Sequence, residues 1–115
     1  MKYKQNKTNF YRPRHKAVYL ITHTPSGHFY VGQSGDFSSR IGTHISNILL
    51  GKWQISDTDL SHYAFSILQN CDALTDAQRL QAEKGFIREL SASYPLLCLN
   101  VAGVAKHTPR VDSQV

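Results

Sequence analysis

Glu83 follows Leu80 by three residues and precedes Ile87 by four, so helical periodicity sets its carboxylate on the apolar stripe drawn through Leu80, Ile87 and Leu90. A carboxylate there must be paired, neutralised or bound to a cation, because an uncompensated buried charge is costly. A structural ion pair is the plainer answer and a metal ion the chemical one. Arg40 and His44 stand four apart and therefore share a helix face, either as a solvated edge or as working groups. Tyr19 and Tyr30 fall in two short β-rich runs separated by a turn, which brings them to neighbouring strands, where tyrosine is also an ordinary packing residue. Gly32 follows directly after Tyr30-Val31; a glycine inside a strand marks a bulge or the close approach of another group.

The elements that must position these residues follow from period and punctuation. Ala17 to Thr22 and His28 to Gln33 flank Thr24-Pro25-Ser26-Gly27 and predict a hairpin. Phe37, Ile41, Ile45, Ile48 and Leu49 recur at helical spacing, with Ser34 or Asp36 available as a cap, so a helix ends near Leu50. His62 to Leu68 alternates as a third strand, and Thr75-Asp76-Ala77-Gln78 is a capping box that opens a second helix to about Ala92, before Pro95. The order ββαβα predicts an α+β fold: a small three-stranded antiparallel sheet flanked by helices, spanning residues 16–103. Residues 1–15 read as a basic arm and 104–115 as a loose polar tail.

An apolar fraction of 41% over 115 residues suffices for one domain core. Cys71 and Cys98 have no CxxC spacing and no histidine at zinc-finger distance, which argues against structural zinc. No signal peptide and no run of about 18 apolar residues is present, so the expectation is an intracellular, cytoplasmic protein with reduced thiols and no membrane. Of the net charge of +5, Lys2, Lys4, Lys7, Arg12, Arg14 and Lys16 all precede the first acidic residue, Asp36. Interleaved with Tyr3, Phe10 and Tyr11, they suit a nucleic-acid backbone; a solvated terminus is the alternative. Lys52 and Trp53 are further candidates for nucleic-acid contact, Trp53 by stacking or, equally, as core filler under its loop.

Ala17-Val18-Tyr19 followed by Tyr30-Val31-Gly32 resembles the paired motifs that name the GIY-YIG nucleases. Arg40, His44, Glu83 and Asn100 fall in the order in which that family places a helix arginine, a histidine or tyrosine one turn later, a metal-binding glutamate and an asparagine near the domain's end. The likeness covers roughly residues 16 to 102 and in loop lengths is closest to phage and homing-endonuclease catalytic domains. Ala17, Val18 and Val31 depart mildly from the pattern, keeping small or β-branched character. Homing enzymes carry a further DNA-recognition domain; here target choice would rest on the nuclease domain, its arm, a partner or a remainder of a longer protein.

The resemblance implies hydrolysis of DNA phosphodiester bonds with Mg²⁺ or Mn²⁺, encoded by a phage or mobile element. In that reading Glu83 anchors the metal, Arg40 holds phosphate oxygens, and Tyr19, its pKa lowered by cationic neighbours, is the general base. Tyr30 shares that task or orients water, His44 receives or relays the proton, and Asn100 positions Glu83 or a phosphate. Gly32 would allow close approach of the nucleic acid, and a homodimer on DNA is one route to double-strand cleavage. A non-catalytic nucleic-acid-binding module and a DNA repair or structure-specific nuclease are the competing functions.

Overall fold

A computed structural model describes residues 15–101. Strand β1 spans Ala17–His23, β2 Phe29–Ser34 and β3 Tyr63–Asn70; helix α1 spans Phe37–Leu49 and α2 Asp76–Ser93, and a 3-10 turn at Leu60–His62 leads into β3. The elements follow one another as ββαβα, the α+β arrangement expected, each within about two residues of its predicted ends. The expected basic cluster Lys2, Lys4, Lys7, Arg12 and Arg14, and the tail from 104 onward, lie outside the described residues. His15, assigned to the arm, belongs to the fold: it is buried, and its carbonyl accepts from the Phe37 N–H at 2.7 Å.

Both pairings of β1 are antiparallel and place it at the centre, in the order β2-β1-β3. In the hairpin the His23 N–H reaches the His28 carbonyl at 2.8 Å, and Gly27 takes φ +79° to close the turn, a conformation that glycine adopts without Cβ strain. Alternation along β1 separates two cores. Ala17, Tyr19 and Ile21 pack against Phe37, Ile41 and Ile48 of α1 and against Trp53, Ile55, Tyr63 and Phe65. Val18 and Leu20 face the opposite way, toward Phe29, Val31, Leu90 and the two buried cysteines. Both thiols are free. Among the described residues no helix is long and apolar enough to cross a membrane.

The caps form as the sequence predicts. Asp36 accepts from the Ser39 N–H at the start of α1, and at α2 the Thr75 hydroxyl and the Gln78 side chain exchange bonds with each other's backbone N–H groups at 3.1 and 2.9 Å. The stripe on α2 requires correction. Leu80 is 41% exposed, while Arg79 and Leu90 are buried, and Ala82, Phe86 and Ile87 pack partly against the core. Periodicity admits a neighbouring row of the helix equally well; the sheet decides, because Arg79 reaches β2 through Gln33, with Nε donating to Oε1 at 2.7 Å.

Candidate active site

The β1–β2 register sets Tyr19 opposite Gly32. The pairing of β1 with β3 shifts between Val18 and Tyr19, a bulge of the kind that re-aims side chains beside functional sites. The phenol of Tyr19 lies across Gly32, where any Cβ would overlap its Cζ and hydroxyl. Gly32 is therefore required by a side chain of the protein itself. It is buried, which corrects its expected role in contacting nucleic acid directly.

Three further groups converge on that phenol. The Tyr19 hydroxyl is 2.9 Å from His44 Nε2. The other ring nitrogen, Nδ1, accepts the indole N–H of Trp53 at 3.1 Å. An indole only donates, so the neutral imidazole carries its proton on Nε2 and donates it to the Tyr19 oxygen. Burial and the nearby charge of Arg40 lower the His44 pKa to about 4, which keeps the ring neutral near pH 7. His44, expected to receive or relay a proton, is thus held between the Trp53 indole and the Tyr19 hydroxyl. Trp53 was a candidate for stacking on nucleic acid; only 6% exposed, it is core that fixes a tautomer. Lys52, beside it, is exposed, and Lys16 is half-buried.

The guanidinium of Arg40 stands against Tyr19 and, more weakly, Tyr30; hydrogen bonding to Tyr19 is the main influence raising its own pKa. Tyr30 is half-buried, with its ring centroid 6.4 Å from that of Tyr19 and 5.5 Å from that of His44. Burial pushes the Tyr19 phenol above the ordinary tyrosine range, against the lowering effect of Arg40 and together with the repulsion of Tyr30 and Glu83. The expectation of a depressed phenol pKa is corrected accordingly: desolvation outweighs the cation.

Glu83 approaches this cluster from α2, half-buried, and burial raises its carboxyl above the usual range, partly offset by Lys84. Among the described residues none pairs with it. The arginine one helical turn earlier, Arg79, is occupied by Gln33 and by Asp76, whose Oδ1 accepts from Nη1 at 2.9 Å. A desolvated carboxylate with no protein partner among the described residues, close enough to Tyr19 to raise the pKa of its phenol, suits a divalent cation that keeps most of its water.

Asn100 does not join the cluster. Its side-chain oxygen accepts from the Val31 N–H at 2.9 Å and its amide donates to the Val31 carbonyl at 2.7 Å. Beside it, Phe29 and Leu97–Leu99 exchange backbone bonds at 2.9 and 2.7 Å, so the Asn100 amide extends a ladder along the outer edge of β2. Its expected role of positioning Glu83 or a phosphate is replaced by one of closing a strand edge.

Tyr19, Tyr30, Arg40 and His44 thus meet in space, Glu83 comes close enough to Tyr19 to raise the pKa of its phenol, and Asn100 supports the strand that carries Tyr30. Trp53, a candidate for stacking or core filler, acts through His44, and only the tertiary contact reveals it. Arg79, four residues before Glu83, is held by Gln33 and Asp76 and does not join the cluster. A separate group, His23, Asp57 and His62, has no counterpart among the sequence expectations, because His23 lies 34 residues before Asp57 and only the fold joins it to the Asp57–His62 pair.

No curated protein and no solved structure matches the chain. The family model described as the GIY-YIG catalytic domain matches residues 15–95, a span that holds the hairpin, both helices and every member of the cluster. The chain belongs to the GIY-YIG family of nucleases.

Proposed function

We propose that this protein is a divalent-metal-dependent DNA endonuclease that hydrolyses phosphodiester bonds, of the kind encoded by phages and mobile elements. The half-buried carboxylate of Glu83, without a partner among the described residues and close enough to Tyr19 to raise the pKa of its phenol, carries the reading. Glu83 would hold Mg²⁺ or Mn²⁺, which supplies Lewis-acid chemistry at the phosphate. Arg40, exposed at the rim, binds non-bridging phosphate oxygens with its planar fork and stabilises the charge that develops on them. Tyr19 is the proton acceptor for the attacking water, its oxygen fixed by the Nε2–H of His44 and by Arg40. Burial opposes loss of the phenol proton, so this step limits the rate below alkaline pH. Tyr30, the more accessible phenol, orients the water. Lys52, Lys16 and the basic residues that precede it hold the DNA backbone. One such set per chain attacks one strand at a time, so nicking precedes any double-strand break, and a second copy would supply the second cut.

The test is conversion of supercoiled plasmid by the full chain and by Glu83→Ala, with Mg²⁺, Mn²⁺ or EDTA. Nicked product that needs metal and disappears in Glu83→Ala supports the reading. Undiminished cutting by Glu83→Ala overturns the role of that carboxylate, and cutting in EDTA overturns metal dependence.

A further inference from the structure

His23 lies four residues beyond Tyr19 on β1 and on the same face, roughly 13 Å along the strand. It belongs to a second polar cluster that the proposed chemistry does not use. His23 Nε2 and His62 Nδ1 lie 2.8 and 2.6 Å from the same oxygen of Asp57, Oδ2, and one ligand atom from each residue falls within 4.8 Å of the other two. His23 ends β1, Asp57 belongs to the long connection between α1 and β3, and His62 closes the 3-10 turn.

We propose that His23 Nε2, Asp57 Oδ2 and His62 Nδ1 form a zinc site, distinct from the Glu83 centre, that pins the α1–β3 connection to the end of the hairpin. Two imidazoles and one carboxylate, with water completing a tetrahedron, form a donor set suited to zinc and poor for magnesium. Zinc with bonds of about 2.0–2.1 Å spaces its ligand atoms by roughly 3.3 Å, so separations of 2.8 and 2.6 Å need to widen by about 0.5 and 0.7 Å, and each imidazole carries its proton on the ring nitrogen that does not ligate.

The atoms that do not ligate already have partners. His23 Nδ1 lies 2.7 Å from the Ser26 hydroxyl, Asp57 Oδ1 accepts from the Asp59 N–H at 3.0 Å, and His62 Nε2 is 3.4 Å from Asp59 Oδ2. A ligand whose other ring nitrogen meets a hydroxyl or carboxylate is oriented as metal-bound histidines are. The Tyr63 hydroxyl donates to the Asp57 carbonyl at 2.7 Å and holds the loop in position. Side-chain exposures of 8% for His23, 17% for Asp57 and 43% for His62 leave one open side for water. The same connection carries Trp53, so a cation here would steady the residue that sets the His44 tautomer.

The experiment is calorimetric titration of the metal-stripped full chain with Zn²⁺ under saturating Mg²⁺, paired with Co²⁺ substitution and visible absorption. Wild type and Glu83→Gln should each take up one zinc, and cobalt should show the intense d–d bands of a tetrahedral site. Ser26→Ala should weaken binding roughly tenfold, and Asp57→Asn and His62→Gln more than that. His62→Gln changes a partly exposed side chain, and thermal unfolding of each variant without metal checks that it folds. Binding as tight in both His62→Gln and Asp57→Asn as in wild type, or no zinc uptake by wild type, would overturn the site and leave a hydrogen-bonded His–Asp–His staple. Loss of uptake in Glu83→Gln alone would place the zinc at the nuclease centre instead.

Discussion

The phenol of Tyr19 occupies the space that a side chain on its cross-strand partner Gly32 would need. The two residues therefore act as one unit: the glycine makes room for the ring, and the ring reaches His44 and Arg40 only because it can lie across β2.

Gly32→Ala forces the ring to move, and overpacking of this kind costs about 1–3 kcal/mol. Urea unfolding should show that loss, and plasmid nicking should fall with it. Tyr19→Leu/Gly32→Ala should recover stability relative to Gly32→Ala while remaining inactive. Normal nicking by Gly32→Ala would show that the ring's position is not needed for the chemistry.

Glu83 is a desolvated carboxylate with no described partner, so removing its charge relieves a penalty in the metal-free protein. Glu83→Gln should unfold at the same temperature as wild type or slightly above it, and it should not cut plasmid. A clear fall in its Tm in EDTA would identify Glu83 as half of a structural ion pair. Arg40→Ala, at an exposed position, should keep the wild-type Tm and lose about 100-fold or more in cleavage rate.

Two pH dependences follow from burial. The His44 pKa is lowered to about 4 from 6.5, so as pH falls below 6.5 the unfolded chain takes up this proton before the folded one does. Stability present above pH 6.5 should therefore decline down to about pH 4. Asp57 should extend the loss from about 3.8 to about 2: burial raises its pKa, but bonds from His23, the Asp59 backbone and His62 outweigh that and lower it to about 2. Tm measured against pH should show a shallower slope between pH 6.5 and 4 in His44→Gln than in wild type. In the opposite direction, a raised Tyr19 pKa means that the phenolate fraction grows with pH. Cleavage should rise by up to about tenfold per pH unit above neutrality, and Tyr19→Phe should abolish it.

Asn100→Ala removes two bonds to the Val31 backbone and opens the edge of β2. With net contributions of about 0.5–1.5 kcal/mol per bond, denaturant unfolding should show a loss of about 1–3 kcal/mol. Cleavage per folded molecule, measured well below the unfolding midpoint, should be nearly unchanged. A collapse of activity in a fully folded Asn100→Ala protein would return this residue to the catalytic set.

Local signals determined much of this protein by themselves. Alternation, helical period and the Thr75 capping box placed the three strands, both α-helices and the α+β order, though not the 3-10 turn at Leu60–His62, because hydrogen-bonding periods and caps act within a few residues. The spacing of Arg40 and His44, and a carboxylate at Glu83, were also legible, since each is a departure from a pattern inside one element. The tertiary structure decided what those residues meet. That α2 turns Arg79 rather than Leu80 inward depends on Gln33 of a distant strand. Asn100 is a strand-edge clamp and Trp53 the keeper of a histidine tautomer because of partners far away in the chain. The elevated pKa of Tyr19 and the convergence of His23, Asp57 and His62 have the same origin: desolvation and ligand geometry are properties of groups assembled in three dimensions, and no local period encodes them.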